Sequence, residues 1–118
     1  MGKLYNKRSR AVLANSLDVA DSFFARARGL MFKSEVRRPL LFVFDEGKAK
    51  SRQACAIHAL FVFFSFSAIY LDAAKRVVDV RVCDPFFSFV VPKKRSAYLI
   101  EGTPALAGKV RVGDVLEF

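Results

Sequence analysis

Length, composition and charge already exclude several classes of protein. The chain has 118 residues, 53% of them hydrophobic, which excludes an intrinsically disordered protein and predicts a single domain over residues 1–118. Its 20 Lys and Arg residues against 11 Asp and Glu residues give a formal charge of +9. Such a charge favours anionic partners at low salt but says nothing about the fold.

The N-terminal segment and the cysteines indicate the compartment. Residues 1–10 are basic and predicted to be partly flexible, and the apolar stretch that follows is too short for the core of a secretory signal. Because no export signal is visible, we expect a cytoplasmic protein with Cys55 and Cys83 reduced. Amide side chains are scarce, which is typical of a thermophilic source: they are Asn6, Asn15 and Gln53.

The first predicted elements are a helix and a strand. Asp21 is a suitable N-cap for a helix over residues 22–30, and Gly29 lies near its end. Apolar residues at helical spacing would place one face of this helix on the core. The apolar segment 40–44 predicts a strand, which is entered through Pro39 and followed by a charged loop.

The apolar run over residues 54–71 decides between a membrane protein and a soluble one. It carries no formal charge and reaches the lower length limit of a membrane-spanning helix. However, Ser65 and Ser67 interrupt it, and it is rich in the aromatic and β-branched residues that strands favour. We therefore predict two strands, over about 55–63 and 66–72, buried on both faces, and no membrane span.

The segment 77–83 predicts a partner strand for this run. Val78, Val80 and Val82 would lie on one face, with Asp79 and Arg81 on the other, as in a half-buried strand. Residues 72–76 have hairpin length, so this segment can pair with residues 66–71.

The C-terminal third predicts short elements. Residues 97–101 form a further apolar strand, and Thr103, Pro104 and Gly108 suit the cap, first residue and end of a short helix. Gly113 and Asp114 predict a turn. The sum is a mainly β fold, a β-sandwich or barrel-like domain with one or two short helices packed against it.

Several short motifs resemble one protein family. They are "RGLMF" at 28–32, "LFVF" at 41–44, "IHALFVFFSFSAIYLDAAKRVV" at 57–78 and "GDVLEF" at 113–118. In this order they resemble the domain-of-unknown-function 192 family of small uncharacterised bacterial and archaeal proteins, over nearly the whole chain. The resemblance implies a β-sandwich-like fold with small helices, no assigned activity and no known cofactor.

The chain departs from the family pattern in two places. In the central run the family usually has other residues at five positions, including an acidic residue at the last: Ala59, Val62, Ser65, Phe66 and Ser67. In the turn after Asp72, Lys75 stands where the family commonly has Gly. If that position is left-handed, a non-glycine residue there costs about 1 kcal/mol.

Four polar residues are the candidates for a binding site: Arg28, His58, Asp72 and Glu101. One interpretation gives each a structural role, such as neutralising a helix end or capping a turn. The other places all four in one polar cleft. No metal site is predicted, because a structural zinc usually needs four Cys or His ligands and the chain has two Cys and one His. No catalytic residue or cofactor is predicted either.

Three functions remain open after these observations. The favoured one is a non-catalytic module that binds a small ligand or a protein partner, because the chain has core material and no reaction motif. The alternative is a nucleic-acid-associated protein, with Lys93, Lys94 and Arg95 beside a Phe-rich segment. The third is an enzyme that uses Cys55 or Cys83 with His58, for which the spacing gives no further support.

Overall fold

The computed structural model describes residues 2–20, 38–44, 57–58, 64–84, 89–90 and 92–118, with backbone only for 57–58 and 89–90. Ten strands and one helix lie in these ranges. In chain order they are β1 Leu4–Asn6, β2 Ala11–Ala14, β3 Asp18–Ala20, β4 Leu40–Val43, β5 Ile57–His58, β6 Phe66–Leu71, β7 Val77–Cys83, β8 Phe89–Val90, β9 Tyr98–Gly102, α1 Pro104–Ala107 and β10 Leu116–Glu117. The fold is mainly β, as predicted.

The largest sheet has five strands in the order β3-β4-β9-β6-β7. The β3–β4 pair is parallel and the other three pairs are antiparallel. All six residues of β6 are buried, which confirms the prediction that this part of the apolar run is a strand covered on both faces. Of the predicted strand over 55–63, the structure describes β5, which pairs with β8, and the rest lies outside the described residues.

The β6–β7 hairpin forms between the predicted segments. Ile69 pairs with Val80 and Phe66 with Cys83, and the register shifts once, between Tyr70 and Leu71. The predicted pairing of Val80 with Val82 on one face and of Asp79 with Arg81 on the other holds. The predicted burial is wrong, however: Val82 is 58% exposed and Asp79 only 2%. The physical reasons are that β7 is an edge strand, which leaves Val82 open to solvent, and that Arg81 and the Lys93 backbone donate hydrogen bonds that satisfy the buried Asp79 carboxylate.

A second sheet has three strands in the order β10-β1-β2, with antiparallel pairing throughout. Its central strand β1 falls inside the segment that the sequence indicates to be partly flexible. Leu4 and Asn6 are nevertheless fully buried, so this part of the N-terminal segment belongs to the fold. A strand of three residues has too little alternation to be recognised from the sequence.

The two sheets pack face to face. Leu4 of β1 and Leu116 of β10 join a buried cluster with Leu41, Ile69 and Ile100 of the five-stranded sheet. The other face of the five-stranded sheet has its own cluster, which includes Phe42, Phe66, Tyr70 and Leu99. The central strands β9 and β6 contribute to both clusters, because successive side chains of a strand point to opposite faces of the sheet.

Helix α1 covers one end of this arrangement. Thr103 precedes it, Pro104 is its first residue and Gly108 follows its last, as predicted, although the Thr103 hydroxyl makes no capping hydrogen bond. The helix lies so close to β9 that a Cβ on Gly102 would meet Leu106 Cδ2 at 2.7 Å. The predicted helix over residues 22–30 lies outside the described residues.

Within the described ranges, no helix has the length and apolar character that crossing a bilayer requires.

Candidate functional site

The structure describes only part of the predicted four-residue site. Arg28 lies outside the described residues. His58 is described by its backbone alone, in β5, where it pairs with Phe89 of β8. The convergence of Arg28 and His58 on one cleft therefore stays a prediction, while Asp72 and Glu101 have defined positions.

Asp72 organises the tight turn of the β6–β7 hairpin. Its Oδ1 accepts hydrogen bonds from the backbone N–H groups of Ala74, at 2.9 Å, and Arg76, at 3.0 Å. These bonds hold Lys75 at a φ of 63°, in the left-handed region where the family commonly has Gly. The arrangement is that of a turn-capping aspartate.

Lys75 makes contacts that a glycine could not. Its ammonium donates a hydrogen bond of 2.7 Å to the backbone oxygen of Phe118 and lies 4.3 Å from the centre of the Phe118 ring. The same ring packs edge-on against Tyr98, with the ring centres 5.2 Å apart. These contacts offset part of the cost of a left-handed lysine.

Glu101 lies in the middle of the five-stranded sheet and is 5% exposed. It is opposite Ala68 of β6, and Ala68 is opposite Arg81 of β7. Asp72 follows β6 four residues beyond Ala68, which places it about 13 Å away along the strand direction. The structure therefore does not bring Asp72 and Glu101 together.

Cys83 lies at the end of β7 on the same face as Glu101, and its side chain is buried. Burial raises the pKa of the Cys83 thiol to about 11, and the negative charge of Glu101 acts in the same direction. At neutral pH the thiol is therefore protonated and a poor nucleophile. This argues against Cys83 as the reactive group of an enzyme.

The residues of the nucleic-acid alternative, Lys93, Lys94 and Arg95, form an exposed basic loop. The buried carboxylate of Asp79 fixes the start of this loop by accepting the backbone N–H of Lys93 at 3.0 Å. Its other oxygen accepts Nε–H of Arg81, also at 3.0 Å. The Asp79 carboxylate thus connects the Arg81 guanidinium to the loop that carries Lys93, Lys94 and Arg95.

The sequence did not predict a pocket that lies where β2, Pro39 and helix α1 meet. Its volume is about 310 Å³, at the lower end of the range of small-molecule sites. Leu13 and Leu106 supply apolar surface, and no described lining residue is acidic. The polar residues of the lining are Asn15, Ser16, Arg38, Thr103 and Lys109. We call this the seam pocket.

A network of hydrogen bonds around Asp114, which we call the Asp114 clasp, holds one wall of the seam pocket. The amide of Asn6 donates to Asp114 Oδ2 at 2.9 Å and to the backbone oxygen of Lys109 at 3.1 Å. Arg8 donates to both Asp114 oxygens, at 2.6 and 3.1 Å, and the backbone N–H of Arg111 donates at 2.9 Å. Because Lys109 lines the pocket, the clasp fixes the pocket wall to β1.

The bond from Arg8 lowers the pKa of Asp114 to about 2, against the opposing effect of burial. The hydrogen bonds from Asn6 and the Arg111 backbone act in the same direction as Arg8. The carboxylate is therefore ionised throughout the neutral range.

No spacing in the sequence could have revealed the pocket. Its walls come from three separate segments, and the chain distance between them carries no signal. Thr103 was visible only as a helix cap, and Arg38 only as one member of a basic pair. Tertiary packing alone assembles the site.

Comparison with known proteins then identifies the family. The DUF192 family, described as "Uncharacterized ACR", matches residues 5–118. The chain belongs to this family. The resemblance on the motifs quoted above is thereby confirmed.

Two DUF192 relatives come from archaea of the genus Pyrococcus. A UPF0127 protein of Pyrococcus abyssi is 34% identical over 100% of this chain and 98% of its own length. A UPF0127 protein of Pyrococcus horikoshii is 39% identical over 85% of this chain and 84% of its own length. These relatives fit the thermophilic composition, because Pyrococcus proteins work at high temperature.

A solved structure supports the fold. A protein of unknown function from Novosphingobium aromaticivorans superimposes with a TM-score of 0.78 at 16% identity, over 98% of this chain and 82% of its own. At this identity the likeness concerns the fold alone.

Proposed function

We propose that this DUF192 protein is a non-catalytic binding module that holds a small ligand in the seam pocket. The observation that carries the proposal is the pocket itself, a concave site of about 310 Å³ with apolar and polar lining. Small-molecule sites combine these features: apolar surface for affinity and a few polar groups for orientation.

The frame around the pocket supports the same proposal. The Asp114 clasp ties the helix-side wall to β1, and the Gly102–Leu106 approach holds α1 against β9. A preformed wall reduces the ordering cost that binding otherwise incurs. The buried Cys83 thiol, with its pKa near 11, weighs against a cysteine-dependent enzyme.

A thermal-shift screen of a metabolite library tests the proposal. A ligand that binds the folded state raises the melting temperature, and the rise grows with ligand concentration. Asn15→Trp places a large ring at the exposed rim of the pocket and should abolish the shift. Val12→Trp is the matched control, because Val12 is exposed on β2, three residues before Asn15, but does not line the pocket.

The two variants distinguish binding in the seam pocket from binding elsewhere. A shift that Asn15→Trp removes and Val12→Trp preserves supports the proposal. A shift unaffected by Asn15→Trp, or no shift across the library, contradicts it.

A second candidate function, association with nucleic acid, is favoured by the basic loop. Asp79 holds the Lys93 backbone and Arg81 together, so that cationic side chains gather at one place on the surface. Such a cluster suits a phosphate backbone, whose binding weakens steeply as salt is added. The formal charge of +9 supports the same partner.

Binding to single-stranded RNA and DNA tests this second candidate. The triple variant Lys93→Ala, Lys94→Ala, Arg95→Ala should weaken binding at 50 mM salt at least tenfold and reduce the salt dependence. The triple variant Lys3→Ala, Lys7→Ala, Arg10→Ala removes three exposed charges elsewhere and is the control. Equal loss in both variants would show that only net charge matters.

We also infer a cytoplasmic location, which the free Cys83 thiol supports, since reduced thiols are the rule there.

A further inference from the structure

We propose that the ligand of the seam pocket is a small anion bearing a phosphate or carboxylate group. This inference rests on the proposed function, since it names the ligand class of the same site. Three features of the described residues support it: the charges of the lining residues, the existing protein partners of each cationic side chain, and the neutral hydrogen-bond donors beside them.

The charged residues of the described lining are cationic. They are Arg38, from the segment before β4, and Lys109, after α1. They come from two of the three chain segments that line the pocket, so an oxyanion bound there would meet positive charge from both segments. Burial of the ligand's apolar part against Leu13 and Leu106 would strengthen the attraction between the ligand and these cations, because charges interact more strongly away from water.

Lys109 is available for such a ligand. Its backbone oxygen is fixed by the amide of Asn6 at 3.1 Å, which holds the residue in place. Among the residues that the structure describes, no carboxylate forms an ion pair with its ammonium. An ammonium without a protein partner, on a residue of fixed position, suits the role of a point charge for an anion.

The guanidinium of Arg38 pairs with the carboxylate of Asp18, and an anionic ligand can displace this partner. Its NH1 lies 3.2 Å from Asp18 Oδ1, with the two side chains 60% and 50% exposed. An ion pair this exposed contributes little in water. The guanidinium has five N–H groups, so it can turn a two-pronged donor towards a carboxylate or phosphate. In the absence of ligand, Asp18 therefore pairs weakly with Arg38, in the role that the negative group of the ligand would take.

Neutral donors complete the lining. Ser16 and Thr103 carry hydroxyls and Asn15 carries an amide. Thr103 precedes α1 without using its hydroxyl as a cap, so that group is not committed to the helix. Hydroxyls and amides next to cations are the usual partners of phosphate and carboxylate oxygens.

Calorimetric titration with matched probes tests the inference. The probes are inorganic phosphate, succinate, and ribose 5-phosphate against neutral ribose. We expect saturable binding of at least one anion and tighter binding of ribose 5-phosphate than of ribose. The phosphate and carboxylate arms show which group the site prefers.

Charge variants locate the binding. Arg38→Ala and Lys109→Ala should each weaken anion binding about tenfold or more, a typical loss for one charge-assisted contact. Lys93→Ala removes one positive charge from the basic loop, outside the described lining, and should leave affinity within twofold.

The most specific expectation concerns Asp18. Asp18→Asn should tighten anion binding about threefold to tenfold, because it frees the Arg38 guanidinium. Glu117→Gln removes one exposed negative charge that lies elsewhere, on β10, and should change the affinity less than twofold.

Each outcome supports or overturns the inference. Anion binding that depends on Arg38 and Lys109, and tightens in Asp18→Asn, supports it. No saturable binding of any anion, or equal losses in Arg38→Ala and Lys93→Ala, overturns it. If ribose binds as tightly as ribose 5-phosphate and Asn15→Trp blocks both, the anion class is wrong while the binding module stands. If Asn15→Trp leaves binding of every probe and library ligand intact, the pocket itself is wrong.

Discussion

Two buried carboxylates, Asp114 and Asp79, use the same chemistry in two regions of the molecule. They are 5% and 2% exposed. Each accepts Nε–H of an arginine, from Arg8 at 2.6 Å and from Arg81 at 3.0 Å. Each also accepts one backbone N–H, from Arg111 and from Lys93 respectively. Asp114 accepts two further hydrogen bonds, from the Asn6 amide and from a second N–H group of Arg8.

The difference lies in what each carboxylate connects. Asn6 and Arg8 are separated from Asp114 by more than a hundred residues along the chain. Asp79 instead joins its own strand, through Arg81, to a loop 14 residues away. The first carboxylate therefore ties β1 and the residues after it to the segment between α1 and β10, while the second orients a surface loop.

Removing the Asp114 carboxylate should have the largest effect. Asp114→Ala leaves the Asn6 amide, the Arg8 guanidinium and the Arg111 N–H without their acceptor, and we expect a loss of about 3 kcal/mol in the free energy of unfolding. Urea denaturation measures it. Glu117→Gln, an exposed acid on β10, should change stability by less than about 0.5 kcal/mol. A loss no greater than that of the control would contradict the role of the clasp.

Acid should remove the same stabilisation without a mutation. The folded pKa of Asp114, about 2, lies below its ordinary value of 3.8, so its contribution is present above about pH 4 and disappears as pH falls towards 2. The shift corresponds to a loss on the order of 2 kcal/mol. Unfolding free energies measured between pH 5 and pH 2 should fall less steeply in Asp114→Asn. Parallel curves for the two proteins would exclude this carboxylate as the cause.

The Asp79 region should respond more weakly and more locally. Asp79→Ala loses one backbone hydrogen bond and a partly exposed ion pair, and we expect a loss of about 1 to 2 kcal/mol. Amide hydrogen exchange should accelerate at Lys93 while residues of β1 keep their protection. Equal acceleration in both regions would show that Asp79, like Asp114, stabilises parts of the fold far from its own loop.

The smallest expected effect concerns Lys75, which ties the hairpin turn to β10 and Phe118. Lys75→Gly relieves the left-handed strain and loses the contacts with Phe118, whereas Lys75→Ala loses the contacts and keeps the strain. The glycine variant should therefore be about 1 kcal/mol more stable than the alanine variant. Thermal unfolding of the pair measures the difference, and equal stabilities would show that the strain is negligible.

The contrast between local and distant partners also explains how much of the fold could be predicted. The β6–β7 hairpin was predicted because its apolar pattern and five-residue turn are encoded within one short segment. The turn-capping role of Asp72 and the boundaries of α1 at Thr103 and Gly108 follow from equally local signals. Strand β1 was missed because its three residues carry no strand pattern of their own. They form a strand by pairing with β10 and β2, which are distant or separate segments.

The site was harder to predict for the same reason. The burial of Asp79 could not be predicted, since the pattern of one strand does not show that Arg81 and the backbone of a distant loop satisfy the carboxylate. The seam pocket depends on packing between three distant segments. The polar residues that looked most promising, Asp72 and Glu101, lie apart, whereas Arg38 and Lys109 gave no signal until the fold placed them together.

The position of β9 between β4 and β6 has a consequence for how the protein emerges from the ribosome. Because β4 and β6 have no direct pairing and β1 pairs with β10, the five-stranded sheet is incomplete until β9 has been synthesised, and the three-stranded sheet until β10 has been. Until then, the apolar segments that were synthesised earlier stay unpaired, at the exit of the ribosomal tunnel or bound to a chaperone. The rate of synthesis between β6 and β10 is therefore expected to influence the yield of folded protein.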